Sequence, residues 1–409
     1  TIFVGTQAVQ TSAPWPSQAL LMTDTSPLFR FFSHWIVLGL VMYLAGFYIA
    51  PSSKFQYLTL YIGLILPALY FSFWAFREHY LADGKLLLWL LAALIAFYLP
   101  SLWAESGSLL NTLRKNLKGI LFVLSLAVAI RHLAIYYPAY LKRLPDLLLW
   151  CGMLALVLFF ISFLQTGPRH GGNIGMGNLG DNPNETGLAF AITLLLALYR
   201  YQDDHNHYWW LLILPLLAAV YLAYSRAAML GLAVTIPFAL LWGLGFTRAA
   251  AGFLMVCLAG SAIMIALMIT GYLDADSLLS RRPTLWQAFL DNSPHFNLLW
   301  GAGLTDSITI KAEALGRKLE PHSLFFSLIL RGGLLALVIF CSLIALAITR
   351  ARQRKLATDN IWLLVLFFGL VTQFFEGVYP LRPPNSFWLY TWLPLLILIL
   401  TTTRLRATS

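Results

Sequence analysis

Charged residues are what this sequence has least of. Asp, Glu, Lys and Arg together make up 11% of the 409 residues, whereas hydrophobic residues make up 59%. Soluble globular proteins carry about 25% charged residues, so this composition excludes an ordinary water-soluble domain. Because the apolar residues occur in runs long enough to cross the hydrocarbon core of a bilayer, the sequence predicts a polytopic membrane protein.

Other signals are also missing. The three cysteines lie far apart within apolar runs, which argues against a disulfide framework or a cysteine-ligated metal. No basic segment followed by an apolar core opens the chain, so no cleavable signal peptide is expected. There is no nucleotide-binding motif, and no internal repeat of the kind that builds inverted-repeat transporters. Although the net charge is +10, no soluble domain is left to bind nucleic acid.

Apolar runs set the predicted architecture. Strand patterns with short turns are absent, so all-α is the predicted fold class. We predict about twelve transmembrane helices in a single domain that covers residues 1–409. The predicted spans are 32–50, 57–76, 86–103, 119–137, 147–164, 186–199, 209–224, 227–244, 249–272, 322–346, 361–375 and 386–403.

The basic residues predict the orientation of these spans. With both termini in the cytoplasm, thirteen basic residues fall on the inner segments and seven on the short outer ones. This excess agrees with the positive-inside rule. The glycine-rich segment Gln165–Gly187 and the long polar loop 273–321, between the ninth and tenth spans, then lie together on the outer face.

The loop 273–321 is the first place to look for function, because ordered loops of this length are usually functional. It carries the double arginine Arg281-Arg282 near its start. Apolar residues recur at helical spacing from Leu285 to Leu290, which predicts an amphipathic helix. Pro283 suits the first turn of such a helix.

Two arginine positions on the outer face suggest an anion site. Arg226 lies between the seventh and eighth spans, where it either snorkels to the interface or binds an anionic headgroup. Arginine stays charged and holds a phosphate through two hydrogen bonds. Together, Arg226 and Arg282 would suit a diphosphate, with Arg281 as the substitute for Arg282. The alternative is that Arg281 and Arg282 form a solvated basic pair beside a helix.

His322 ends the long loop where the tenth span begins. A single histidine is more often structural than catalytic. Histidine nevertheless changes charge near neutral pH, which makes it the natural proton acceptor there. Its place at the lipid–water boundary, beside a loop that carries arginines, predicts that His322 is a general base.

Weaker candidates lie on the same face. Asn182 and Asn184 precede the sixth span, where Asn184 either caps the helix or contacts a sugar or phosphate. Tyr224 and Arg382 are further candidates for substrate binding.

Four other charged residues have open roles. Asp274 and Asp276 form a short Asp-x-Asp motif without further ligands close by in the sequence, so no metal site is expected there. Arg131 and Arg331 fall within predicted spans, where a charge is usually functional or paired. The pair Gly332-Gly333, directly after Arg331, would permit close helix approach.

In their order and spacing these motifs resemble the O-antigen ligase and polymerase superfamily. The resemblance covers residues 165–345 and rests on Gly177 or Gly180 through Asn184, Ser225-Arg226-Ala227, Arg282 to Trp286, Trp300-Gly301-Ala302-Gly303, and His322. The family often has His-Asn at the end of the loop. This chain has His322-Ser323 instead, which leaves the supporting role of the asparagine open.

The resemblance implies a bacterial inner-membrane glycosyltransferase with a GT-C-like fold, cytoplasmic termini and a periplasmic active site. It implies transfer of O-antigen glycan from undecaprenyl diphosphate to a sugar hydroxyl of lipid A–core, in lipopolysaccharide biosynthesis. Arg226 and Arg282, or Arg281, would bind the donor diphosphate, and His322 would accept the proton of the acceptor. The reaction would invert the anomeric carbon without a metal or other cofactor, in contact with membrane lipids.

Three alternatives remain open from the sequence. Within the superfamily, an O-antigen polymerase or a protein O-oligosaccharyltransferase would use the same kind of donor. The ligase is favoured because the large loop lies late in the chain and no second arginine-rich outer loop of comparable size is present. From another class, a transporter or flippase would need polar residues along several helices, whereas the informative residues crowd on one face.

Overall fold

The computed structural model describes residues 26–78, 84–100, 109–166, 182–204, 206–241, 282–292, 297–303, 310–312, 317–319, 322–354, 356–377 and 387–401. Its helices are α1 (Pro27–Ile49), α2 (Ser53–Leu58), α3 (Leu66–Glu78), α4 (Gly84–Tyr98), α5 (Leu109–Tyr136), α6 (Pro138–Lys142), α7 (Leu144–Thr166), α8 (Pro183–Asp204), α9 (Trp210–Leu222), α10 (Arg226–Leu241), α11 (Arg282–Asn292), α12 (Leu324–Arg354), α13 (Ala357–Phe375) and α14 (Leu393–Leu400). Two π-helical segments, Thr59–Ile65 and Trp388–Trp392, precede α3 and α14, and a 3₁₀ turn, His207–Trp209, precedes α9.

The described residues form an all-α membrane protein, as the composition predicts. Six apolar helical stretches are long enough to cross a bilayer, and four more are apolar but shorter. Eleven of the twelve predicted spans overlap helices, while the ninth, 249–272, lies outside the described residues. The count of twelve spans and the GT-C-like arrangement stay predictions.

The centre of the bundle is α14, whose eight residues are all buried. A helix that is apolar on every side needs cover on every side, and α5, α12 and α13 supply it. The carbonyl groups at the C-terminal end of α14 belong to buried residues. Arginine side chains bind them instead: Arg131 Nη1 donates to Leu400 O at 2.9 Å, and Arg350 Nη1 donates to Ile399 O at 3.0 Å.

A third arginine completes this end of the bundle. Arg354 donates to the carbonyl of Thr401 and forms a two-bond ion pair with Asp359, at 2.9 and 3.1 Å. Cations are favourable at a helix C-terminus. Arg131, which the sequence places inside a span, therefore has a structural partner in the last helix.

Helix α12 is broken at Gly333, where φ is 64° and ψ is −165°. The segment Asn297–Gly303, which we call the wedge, lies against the break. Four backbone N–H···O=C bonds of 2.7–3.3 Å join the wedge to α12, and they connect residues 298, 299, 302 and 303 with residues 334, 335, 330 and 331. Peptide groups that leave a membrane helix must find such partners, so the wedge stabilises the break.

The break depends on two glycines. A Cβ atom on Gly333 would lie 2.2 Å from Leu299 O, and one on Gly301 would lie 2.5 Å from the carbonyl carbon of Arg331. Both residues also have positive φ, which only glycine adopts readily. Arg331 itself is fully buried beside the break.

The long loop has structure of its own. The predicted helix opening at Arg282 is present as α11. Phe289 of α11 packs on Phe326 and Leu330 of α12, and Trp286 packs edge-on against Phe374 of α13 with ring centroids 5.3 Å apart. A short antiparallel hairpin, β1 (Ile310–Ala312) and β2 (Arg317–Leu319), lies next to α11. This packing holds the start of α11 against the end of α13.

Candidate active site

Four helices begin around one cavity of about 380 Å³, and α9 and α13 end beside it. Its lining consists of Asn184 from α8, Tyr224 and Arg226 at the start of α10, Arg282 at the start of α11, His322 before α12, and Glu376 directly after α13. Asn184, Tyr224, Arg226, Arg282 and His322 were all singled out in the sequence. The structure brings all five together, although up to 138 residues separate them along the chain.

The cavity has the electrostatic character of an anion site. Each helix N-terminus carries partial positive charge from its unpaired backbone N–H groups, and four such ends meet here. Among the described lining residues, two guanidinium groups, of Arg226 and Arg282, add to this, and Glu376 contributes one carboxylate. The described lining residues therefore include more cations than carboxylates, which favours a phosphorylated ligand.

Arg226 is the exposed cation of the lining. It is the first residue of α10, and Ser225 caps the helix by accepting a hydrogen bond from Ala228 N at 3.3 Å. A Cβ atom on Gly187 would lie 2.3 Å from Ser225 Cβ, so α8 and α10 begin side by side. That close approach brings Asn184 and Arg226 to the same cavity.

Arg282 differs from the simple phosphate ligand that the sequence suggests. It is 7% exposed, its Nε donates to the carbonyl of Phe375, the last residue of α13, and its Nη2 donates to Glu376 Oε1. Part of its guanidinium group therefore forms hydrogen bonds within the protein. Arg282 both caps α13 and fixes Glu376, while it still borders the cavity.

Glu376 is the lining residue that the sequence reading missed. Besides Arg282, its Oε1 accepts a hydrogen bond from Asn184 Nδ2 at 2.7 Å. Its Oε2 lies 3.8 Å from His322 Nδ1. One carboxylate thus connects three of the predicted residues. The usable signal was its position, because a lone acidic residue directly follows the eleventh predicted span.

His322 and Tyr224 both have strained backbones. They are the non-glycine residues with positive φ in the described part of the chain, at 45° and 53°. Bulky side chains rarely adopt this conformation. Strain of this kind persists where the surrounding structure imposes it, and it is concentrated at functional sites. Both residues line the cavity.

Asn182 and Asn184 lie at the start of α8, and Asn182 is the residue that caps it. Asn182 Oδ1 accepts a hydrogen bond from Asn184 N at 3.0 Å, and Asn182 O accepts one from Thr186 N. Asn182 therefore opens the helix, since Pro183 occupies its first position. The cap predicted for Asn184 is wrong: its side chain binds Glu376 in the cavity instead.

Four predicted residues lie outside the described part of the chain: Arg281, Arg382, Asp274 and Asp276. Among the residues that are described, no three His, Cys, Asp or Glu side chains are grouped in a way that would hold a metal ion.

No family model matches the chain, and no curated protein matches it either. The likeness to the O-antigen ligase and polymerase superfamily therefore stays a prediction that rests on the motifs. The geometry contributes an independent observation, namely that Arg226, Arg282 and His322, from three separate motifs, lie around one polar cavity.

Proposed function

We propose that this chain is an inner-membrane glycosyltransferase of the O-antigen ligase type. It transfers a glycan from undecaprenyl diphosphate to a sugar hydroxyl of lipid A–core. The observation that carries the proposal is the shared cavity of Arg226, Arg282, His322 and Glu376. This set combines cations for a diphosphate with a histidine held near a carboxylate, which is what glycosyl transfer from a lipid diphosphate requires.

In the proposed reaction the acceptor oxygen attacks the anomeric carbon from the side opposite the diphosphate. The bond between that carbon and the phosphate oxygen breaks, and its electron pair leaves with undecaprenyl diphosphate. Arg226 and the converging helix N-termini stabilise the negative charge that develops there. Preorganised donors of this kind contribute about 2.7–4 kcal/mol each. The anomeric configuration is inverted.

His322 takes the proton of the acceptor hydroxyl. Glu376 faces Nδ1 of the ring, so a proton on Nδ1 is favoured and Nε2 is left to accept. The separation of 3.8 Å is longer than a hydrogen bond. Contacts of this type often shorten when substrate binds. Glu376 is thus a positioning residue, since it orients the histidine and touches no reacting atom.

The charges at the other end of the bundle support a periplasmic cavity. α12 begins at the cavity and carries Arg350, Arg352 and Arg354 at its other end. Arg350 and Arg354, together with Arg131, bind carbonyl groups at the C-terminal end of α14. Basic residues accumulate on the cytoplasmic side of membrane proteins. The cavity at the opposite end of α12 then faces the periplasm.

The same features favour an enzyme over a transporter. The cavity lies at helix ends and gathers its polar residues there. Arg131 and Arg354, charged residues buried within the bundle, bind backbone carbonyls of the last helix and its end. Both arginines therefore stabilise the fold. A transport path, in contrast, would need polar groups along several helices.

Reconstitution tests the proposal directly. Purified protein in vesicles receives undecaprenyl-diphosphate-linked O-antigen and lipid A–core, and glycosylated lipid A–core is measured by gel mobility and mass spectrometry. We expect product only when donor and acceptor are both present. Lengthening of the donor glycan without lipid A–core would indicate a polymerase. Movement of the lipid-linked donor across the membrane without any product would overturn the enzyme proposal.

We also expect transfer to continue in the presence of EDTA. Arg226, Arg282 and the helix N-termini supply the positive charge that a divalent metal would otherwise provide at the diphosphate. The transfer rate is measured with EDTA and after addition of Mg²⁺ or Mn²⁺, with a metal-dependent glycosyltransferase as the control. A loss that added metal restores would contradict the prediction and direct attention to Asp274 and Asp276.

A further inference from the structure

Exposed basic residues lie where two apolar spans begin. Lys54 is the first residue of the span Lys54–Phe73, and Lys118 is the second residue of the span Leu117–Tyr136. Arg114 lies one turn before Lys118 on α5, so these two residues share a helix face. All three residues are exposed. We call Lys54, Arg114 and Lys118 the basic patch.

Aromatic contacts join the two spans at the basic patch. The ammonium group of Lys118 lies 5.5 Å from the ring centroid of Tyr61 and 5.5 Å from that of Phe122. The two rings pack edge to face with their centroids 5.6 Å apart. Cations are attracted to aromatic faces at such distances. These contacts hold Lys118 beside the first span, and the residue stays exposed.

The basic patch lies toward the cavity end of the bundle. Helix α5 passes the patch first and then reaches Arg131, which binds the C-terminal end of α14. Lys118 precedes Arg131 by thirteen residues of this helix, which is roughly 20 Å. The arginines of α12 that bind the end of α14 lie at its far end from the cavity. On the proposed function, the patch therefore faces the periplasmic side of the membrane.

Basic residues on this side are unexpected, because membrane proteins generally keep them in the cytoplasm. Seven basic residues fall on the short outer segments of the predicted topology, and four of them belong to two short stretches, Lys54 and Arg114–Lys118. No carboxylate of the described residues forms an ion pair with the three side chains of the basic patch. Among the described residues, their charges remain available to an anionic partner.

Exposed apolar side chains accompany these charges. Leu117 is exposed next to Lys118, and Phe55 is exposed next to Lys54. An exposed apolar stripe then follows the first span toward the centre of the membrane, and it consists of Leu58, Ile62, Leu66, Leu69 and Phe73. Cations at the start of a span with apolar surface below them match a lipid that has phosphate in its headgroup.

The number of cations indicates which lipid fits best. A phospholipid such as phosphatidylglycerol presents one phosphate, whereas lipid A carries phosphates at both ends of its disaccharide. The cations of the basic patch are spread over two helices, so one ligand with several phosphates can contact them together. Binding at several points strengthens an interaction beyond that of each single contact.

We propose that the basic patch binds the phosphates of lipid A–core and recruits this acceptor from the outer leaflet. The inference rests on the proposed function. None of the patch residues lines the cavity, so acceptor recruitment and donor binding belong to different parts of the surface. The patch raises the local concentration of acceptor. It should therefore influence the KM for the acceptor and leave turnover at saturating acceptor unchanged.

The test compares acceptors with and without phosphate. The full chain is placed in phosphatidylcholine nanodiscs with lipid A–core or with lipid A–core from which the lipid A phosphates have been removed. Lipid binding is measured by native mass spectrometry, and KM and kcat are measured in the transfer assay. The variant is Lys54→Gln/Arg114→Gln/Lys118→Gln. Excess phosphatidylglycerol serves as the competing anionic lipid.

The matched control is Arg30→Gln/Arg143→Gln/Arg352→Gln. It removes the same number of positive charges from exposed residues at the other end of the bundle, where α1 and α7 begin and α12 ends. Both triple variants change surface side chains, so their melting temperatures should stay close to that of the wild type. If the patch variant fails to insert, the single substitution Arg114→Gln replaces it, with an expected rise in acceptor KM of about 2- to 5-fold.

We expect the patch variant to raise the KM for lipid A–core by about 10- to 100-fold, since each cation near a lipid surface contributes to binding. Its kcat and its KM for the donor should equal those of the wild type, and the control should behave as the wild type does. With the dephosphorylated acceptor, the patch variant and the wild type should have the same KM. Phosphatidylglycerol should compete only weakly.

Three results would overturn the inference: an unchanged acceptor KM in the patch variant, a difference that persists without the lipid A phosphates, or equally strong binding of phosphatidylglycerol. The last result would show a general site for anionic lipids. If the wild type makes no product, the proposed function fails instead. The binding comparison needs no turnover, so the two failures are distinguished.

Discussion

Replacing His322 with alanine is expected to lower the rate of glycan transfer by about 10²- to 10⁴-fold, the usual contribution of a positioned base. The histidine side chain is 45% exposed and lines the cavity, and Glu376 lies on its Nδ1 side. On the proposed function, alanine removes the proton acceptor, whereas Arg226 and Arg282 remain to hold the diphosphate. Donor binding should therefore be close to that of the wild type.

Two separate measurements decide this prediction, namely single-turnover transfer and equilibrium binding of the donor lipid. The matched control is His34→Ala, because His34 is an exposed histidine of α1 that does not line the cavity. Normal turnover in His322→Ala would remove it as the base. So would a variant whose loss of transfer is explained entirely by weaker donor binding.

Replacing Arg226 with alanine should lower both donor binding and transfer, and transfer by about 10²- to 10³-fold. Arg226 is exposed at the helix N-terminus, and the proposed function assigns it to the donor diphosphate. Arg226→Lys should restore little, because lysine has a point charge and no planar fork. Arg352→Ala, an exposed arginine in the last turn of α12, is the control.

Arg282→Ala should also abolish transfer, but unlike Arg226→Ala it should lower the stability of the protein as well. Its removal leaves the Glu376 carboxylate, which is 16% exposed, without its ion-pair partner. A buried pair broken in this way destabilises a protein by about 3–5 kcal/mol. Adding Glu376→Gln should restore much of the thermal stability and none of the transfer. Near-normal transfer in both arginine-to-alanine variants would rule out the proposed diphosphate site.

Much of the fold can be predicted from composition and from local sequence pattern. Long apolar runs can only be helices in a bilayer, and eleven of the twelve predicted spans overlap helices of the structure. The helix that opens at Arg282 followed from its apolar spacing and from Pro283. The placement of Arg226 and His322 on one face followed from counting spans. Each of these features depends on residues that are near one another in sequence.

Features that depend on distant partners could not be predicted. The sequence reads as continuous through Gly333, and the break exists because the wedge binds backbone groups there. In the sequence, Glu376 is only an acidic residue at the end of a predicted span. Its role in the cavity follows from its contacts with Asn184 and Arg282, which are distant in sequence. Asn182 rather than Asn184 caps the helix, which begins at Pro183, and the Asn184 amide donates to Glu376, 192 residues away in sequence.

The cavity draws its lining from residues 184 to 376 of a chain of 409, and this has a consequence for biosynthesis. A polypeptide that has been inserted only as far as α10 carries Arg226 but neither His322 nor Glu376. On the proposed function, an arrested or truncated chain could still attract a lipid diphosphate without activating an acceptor or a water molecule. Transfer activity then requires insertion of α13, which Glu376 directly follows. Incomplete copies would therefore not hydrolyse lipid-linked glycan.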